Sequence, residues 1–302
     1  MGIMKNKTSS IIYVILAGIL WGCMGLFVRN LNRLGVATMG IVSVRAFITS
    51  AILFIYLIIF KRKLLVIKIK DIWCFLGTGI LSVLFFNFCY FRTMSVTSLS
   101  IAAILLYTSP AFIMVMSYFL FKERLSIKKV ISLVMTIVGC ALVSGLIGEI
   151  TGSGSMSALD LLIGLGAGFG YALYSIFSRY ALERGYHSLT ITFYTFLFAS
   201  IAGVFFTDIP GLFKVFTGSV NGCLFCVGIA LLGTLVPYLL YTAGLKGMDN
   251  GTASVVVAIE PVIATMISVF VYREMLDIFA IIGIVMVLGA IVLVNISDGR
   301  KG

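Results

Sequence analysis

Residues 98–143 and 249–294 carry one pattern written twice, 151 positions apart. Pro110 aligns with Pro261, Ser117 with Ser268, Phe119 with Phe270, Glu123 with Glu274 and Leu125 with Leu276. A second stretch repeats at an offset of 150, where AGILWGCMGLFVRNLNRLG from Ala17 lies over AGFGYALYSIFSRYALERG from Ala167. Ala17/Ala167, Gly18/Gly168, Phe27/Phe177, Arg29/Arg179 and Gly35/Gly185 coincide. The chain is therefore two related halves of about 150 residues each. Halves that each cross a membrane an odd number of times must insert upside down relative to one another, which is how many secondary transporters build alternating access around a midplane site.

A membrane is the solvent this composition requires. Hydrophobic residues make up 61% of the chain and charged residues 11%, and the mean hydropathy is +1.17. Soluble domains carry about 25% charged residues. Ten segments are long and apolar enough to span: 9–28, 38–60, 71–92, 97–121, 127–147, 158–180, 188–207, 218–243, 250–272 and 277–296. No small-residue cleavage pattern follows the first, so a retained helix is expected there. The glycine- and serine-rich stretch 148–157 divides the chain into a first five-helix repeat, 1–147, and a second, 158–302. The expected fold is all-α and polytopic, with ten transmembrane helices as two inverted five-helix repeats around a central cavity.

Orientation follows from the basic residues. With the N-terminus in the cytoplasm, 16 of the 22 lysines and arginines fall on the inner side, 5 on the outer side, and Arg45 within the second span. This bias places both termini in the cytoplasm of a cell membrane. The net charge of +11 reflects that topology. Its basic residues are scattered over short loops, so no nucleic-acid partner is expected. The bilayer and a small-molecule substrate are the expected partners.

Several function classes drop out. The six cysteines all lie in apolar segments, where they behave as small hydrophobes. Cys223 and Cys226 form a lone CxxC without a second pair, so neither a metal nor another cofactor is expected. No phosphate-cradling loop is present to couple ATP directly. Asp160, Asp208 and Asp277 are single acids with no histidine beside them, which argues against an intramembrane lipid-modifying enzyme. The one histidine, His187, lies in a loop and is a poor proton relay.

Ionisable groups at membrane depth are costly and mark function by default. Glu260 lies near the middle of the ninth span and precedes Pro261, whose missing N–H frees a carbonyl one turn earlier. Its counterpart is Ser109, so the acid breaks the repeat. Arg45 can bind an anion, pair with Glu260, or snorkel outward along its apolar stem. Arg92, whose counterpart is Ala243, ends the third span and is open to a substrate or a snorkelling reading. Asn87 is the one amide deep in that span, with Thr108 and Thr234 as weaker polar candidates. Trp21, Tyr90, Tyr107, Tyr171, Tyr174, Tyr238 and Tyr241 supply aromatic walls for stacking or cation–π contact. Trp21 pairs with Tyr171 across the repeat, and Tyr90 with Tyr241. Pro110, Pro261 and Pro237 are expected helix breaks.

Glycines at GxxxG spacing, Gly18/Gly22 and Gly164/Gly168 among them, read as packing surfaces within one subunit, so a monomer is expected. Lys122–Glu123 and Arg273–Glu274 end their helices at opposite faces and read as gate or helix-end elements.

TSPAFIMVMSYFLFKERLS from Thr108 and IEPVIATMISVFVYREML from Ile259 each hold a proline followed thirteen residues later by a glutamate. With ten spans in two halves and the arginine of SVRAFITSAILF, the whole chain resembles the EamA-type transporters of the drug/metabolite transporter superfamily. The resemblance implies a cavity lined by helices 1, 3, 4, 6, 8 and 9 and their counterparts, with metabolite export or exchange as the activity. The expected substrate is a small metabolite such as an amino acid. The alternative is import of a quaternary amine such as choline.

Overall fold

The computed structural model describes residues 2–145, 157–273, 275 and 277–296, with side chains from residue 7 onward. Of the expected linker at 148–157, all but Ser157 lies outside the described residues, as do Glu274 and Leu276. The described residues form helices joined by short turns, with no strand among them.

Ten membrane elements follow in order. α1 runs Gly2–Gly22 and, after a turn at Cys23, continues as Met24–Arg33. α2 is Thr38–Phe60. α3 comprises Ile72–Leu76, a π-helical stretch Gly77–Leu84, and Phe85–Val96. α4 is broken into α4a, Leu99–Leu106, and α4b, Ser109–Phe121. α5 is Ile127–Val143, α6 Ala158–Glu183 and α7 Ser188–Gly203. α8 comprises Val220–Ala230, a π-helical stretch Leu231–Leu235, and Val236–Gly244. α9 is broken into α9a, Asn250–Val257, and α9b, Ile259–Tyr272, and α10 is Ile278–Asn295.

Nine helical segments among the described residues are at least 18 residues long and apolar enough to cross a bilayer. α5 has 17 residues, the short end of what a span requires. Two elements differ from the sequence reading. The first span runs on to Arg33 because Asn30, Asn32 and Arg33 extend the helix with polar side chains that a hydropathy window cuts off. A further helix, Ile209–Gly218, lies between α7 and α8, started by the Asp208 carboxylate accepting from the Gly211 N–H at 3.2 Å.

Packing follows the repeat. α2 lies on α7 and α5 on α10, the two self-related pairs. α1 packs on α8 and α9 of the second half, and α6 on α3 and α4 of the first. Glycines permit these close crossings. A β-carbon on Gly139 would stand 2.9 Å from the Gly283 carbonyl, and one on Gly283 2.6 Å from that of Gly139, so α5 and α10 touch through backbone. The main core gathers Val14, Ala17, Trp21, Tyr174, Phe196, Tyr238 and Tyr241 at the centre of the bundle.

Candidate functional site

The broken spans set the frame. Pro110 and Pro261 have no N–H to offer the carbonyls four residues earlier, Leu106 and Val257. Both helices break there, at Tyr107–Thr108 and at Ala258. Each break docks on a glycine of the other half. A β-carbon on Gly18 would lie 2.9 Å from the Val257 oxygen, and one on Gly168 3.3 Å from the Leu106 oxygen. On Gly22 a β-carbon would lie 2.7 Å from the Glu260 carbonyl, so α1 follows the break past the acid.

Glu260 therefore stands in the first turn of α9b, where the helix dipole favours a negative charge. The Tyr171 side chain of α6 stands beside it. Tyr90, Tyr107 and Tyr238 stand within electrostatic reach of it.

Arg45 is 3% exposed and turns inward from α2, which replaces the snorkelling reading. Its guanidinium donates to the Met24 sulfur at 3.0 Å and to Asn87 Oδ1 at 3.3 Å, and its Nε has no partner. Asn87 is fixed in turn by donating to the Val83 carbonyl at 2.7 Å. Neither partner of Arg45 is anionic, and Glu260 is not among its partners. Tyr238, the repeat counterpart of Asn87, lies within electrostatic reach of both charges.

The two π-helical stretches explain how these side chains meet. Each inserts an extra residue per turn, which rotates the following helix about its own axis. Asn87 and Tyr238 sit three residues beyond Leu84 and Leu235, the ends of those stretches. Thr234 Oγ1 bonds back to the Ile229 carbonyl at 3.0 Å, bridging the π turn before Pro237. At Pro237 the helix thus changes pitch rather than breaking.

Between the halves lies a small cavity lined by Trp21, Ser82, Phe86, Tyr171, Tyr174, Ser175, Tyr238 and Tyr241. Its aromatic walls are closed edge to face, with Trp21–Tyr238 at 5.0 Å, Trp21–Tyr171 at 6.4 Å and Tyr174–Tyr238 at 4.9 Å. The hydroxyl of Tyr174 meets Thr242 at 2.7 Å, and that of Tyr241 meets Ser175 at 2.8 Å. The space left is about 10 Å³, room for roughly one water.

Five of the sequence-selected aromatics are thus brought together. Tyr90 packs against the neighbouring cluster of Phe86, Cys89, Leu106 and Ala167, and Tyr107 against that of Cys140, Ala258 and Val262. Tyr241 meets Trp21 and Tyr174, while Tyr90 meets Phe91. Arg92 is exposed and stands apart from the cavity. His187 lies outside the spans, capping α7 by accepting from the Leu189 N–H at 3.2 Å. Burial, with Lys246 and Lys61 nearby, pushes its imidazole below the ordinary range. Ser82, Phe86 and Ser175 were not singled out from the sequence. Their signal was spacing: Ser82, Phe86 and Tyr90 form one i, i+4 stripe, and Ser175 lies one turn beyond Tyr171.

Comparison with known proteins agrees with this architecture. The model of the EamA-like transporter family matches twice, over residues 8–145 and 159–296. An uncharacterized transporter of Archaeoglobus fulgidus is 26% identical over 285 residues, spanning 93% of this chain and 94% of its own. The uncharacterized transporter YxxF of Bacillus subtilis is 25% identical over 304 residues, spanning 98% and 93%. One solved crystal structure superposes with a TM-score of 0.79 at 17% identity, over 96% of this chain and 97% of that one, a likeness of fold.

Proposed function

The chain belongs to the EamA-like transporter family, and from that premise we propose that it is a secondary-active carrier exporting or exchanging a small metabolite such as an amino acid. That it is a multi-pass membrane transporter rather than an enzyme follows from the family. The finer reading rests on one observation. Arg45 and Glu260 both lie within electrostatic reach of Tyr238 without pairing with each other, and the Arg45 Nε is buried without a partner. A buried cation without an anion is costly, and a substrate carboxylate would relieve that cost. An ammonium would sit on the Glu260 side. The substrate enters as the aromatic walls part, first toward one face and then toward the other.

Cell-membrane placement with both termini cytoplasmic is supported by the 16 basic residues on that side of the 22 in the chain. A second reading, uptake of a quaternary amine, is favoured by the box of Trp21, Tyr171, Tyr174, Tyr238 and Tyr241, which suits cation–π recognition.

Counterflow in proteoliposomes tests the proposal. Unlabelled amino acids or choline are loaded inside and a labelled counterpart is added outside. Accumulation with amino acids that falls to background in Glu260→Gln is the expected result. Accumulation with choline alone selects the second reading, and none with either removes both.

A further inference from the structure

The two half-helices that open the broken spans are seated differently. α9a buries all of Asn250, Gly251, Thr252, Ala253, Ser254, Val255, Val256 and Val257, whereas α4a buries only Ala102, Leu105 and Leu106. α9a crosses to the other half and packs on α4b and α5. Among the described residues α4a packs on α3, α5 and α6, with no comparable seat on α9b or α10. The two half-helices are thus seated unequally, α9a being the one held against α4b and α5 of the other half, at the end of the bundle that holds Lys122 and Lys129.

Polar side chains of three elements grip the start of α9a. The carboxylate of Glu123, just past α4b, accepts the N–H groups of Asn250 at 2.8 Å and Gly251 at 3.2 Å. These are first-turn donors with no partner inside their own helix. Lys122 brings Glu123 into position by ending α4b in a left-handed conformation, φ 54°. Asn250 donates to Ser117 Oγ at 3.1 Å and accepts from Arg179 Nε at 3.0 Å, and Arg179 also donates to the Met248 carbonyl. Lys129 pairs with Asp249 at 2.8 Å. At the opposite end Arg29, the repeat counterpart of Arg179, lies 3.9 Å over the Tyr272 ring.

We propose that Glu123 is the latch of one gate: it clamps α9a across the two halves, and the cavity opens toward the Lys122–Lys129 end only when that clamp is released. The inference rests on the alternating-access reading. It gives the first of the two repeated glutamates a positioning role, holding a helix end of the other half. Glu274 occupies the equivalent sequence position, outside the described residues.

Mirror-related cysteine pairs test it in purified full-length protein lacking the native cysteines. A β-carbon on Gly251 would stand 3.2 Å from Met114 Cγ, close enough for Met114→Cys with Gly251→Cys to bond. Ser100→Cys with Thr265→Cys is the same pair carried across the repeat. Under copper-phenanthroline oxidation the first pair is expected to cross-link and the second to lag. Glu123→Ala is expected to slow the first roughly tenfold, the loss of bonds to a charged acceptor, and to speed the second. If that variant is not recovered monodisperse, Arg179→Met, which removes the second grip on the same helix end, gives the decision by the same readout. Equal cross-linking of the two pairs, or a first pair indifferent to these variants, overturns the latch. Counterflow on the native chain stays separate: asymmetric cross-linking without transport sinks the carrier reading alone.

Discussion

Gly18 lies so close to the Val257 carbonyl that a β-carbon there would stand 2.9 Å from the oxygen and 2.6 Å from Ile259 Cγ2. Pro261 leaves that carbonyl without its usual helical donor, and the bare backbone of Gly18 is what lets α1 close over the break. Gly18→Val is therefore expected to lower the melting temperature in detergent by the equivalent of about 1–3 kcal/mol or more, the cost of overpacking. Gly25→Ala, where a β-carbon meets nothing within 4 Å, is expected to leave it unchanged or slightly raised. Equal melting of the two variants would contradict the docking role.

The Arg45 Nε is buried without a partner, and under the proposed carboxylate reading it receives the substrate's anion. Arg45→Met is expected to raise the KM for a carboxylate substrate by roughly 10- to 100-fold, as removal of a charged hydrogen-bonding partner does. An amine substrate should be little affected. Trp73→Phe leaves Trp21 as the sole indole of the chain, so emission from the cavity wall reports binding directly. Unchanged carboxylate affinity in Arg45→Met would remove its role.

The latch should respond to pH. Burial pushes the Glu123 carboxyl above the ordinary carboxylate range, helped by the charge of Asp249 and opposed by the N–H groups of Asn250 and Gly251 and by Arg179. Opening the gate hydrates the group and returns it toward its ordinary value, about 4.3. A group whose pKa is higher in the closed state holds its proton more tightly there, so acid favours closure and a rise through the raised pKa favours opening. Asp249 acts with the opposite sign. Burial raises it, but its bond to Lys129 and those from Thr252 outweigh burial and hold it below its usual range. Its contribution to closure is present above the ordinary aspartate range and lost only in stronger acid. Spin-label distances between Leu125 and Lys246, both at the gated end, are expected to lengthen as pH rises above the carboxylate range. Glu123→Gln should abolish that dependence in this window, and a dependence that survives would assign it elsewhere.

Much of the architecture was legible in the sequence because membranes write simple rules. Span length, the odd number of crossings per half and the two prolines are local or periodic properties, readable without knowing which helix touches which. Glu260 and Arg45 were legible for the same reason, since a charge inside an apolar run stands out wherever its partner lies. The rotation of each helix about its axis was not. The π-helical stretches at Gly77–Leu84 and Leu231–Leu235 add a phase shift with no distinctive composition, and that shift decides that Asn87 reaches Arg45. Arg92 broke the repeat as Glu260 did, yet only packing decided that one faces outward and the other inward. Glu123 read as a gate or helix-end element from the sequence. That it holds the N–H of Asn250, 127 residues away, was decided by tertiary structure, because a half-helix start has unsatisfied donors wherever it lies and only the folded chain brings an acceptor to them.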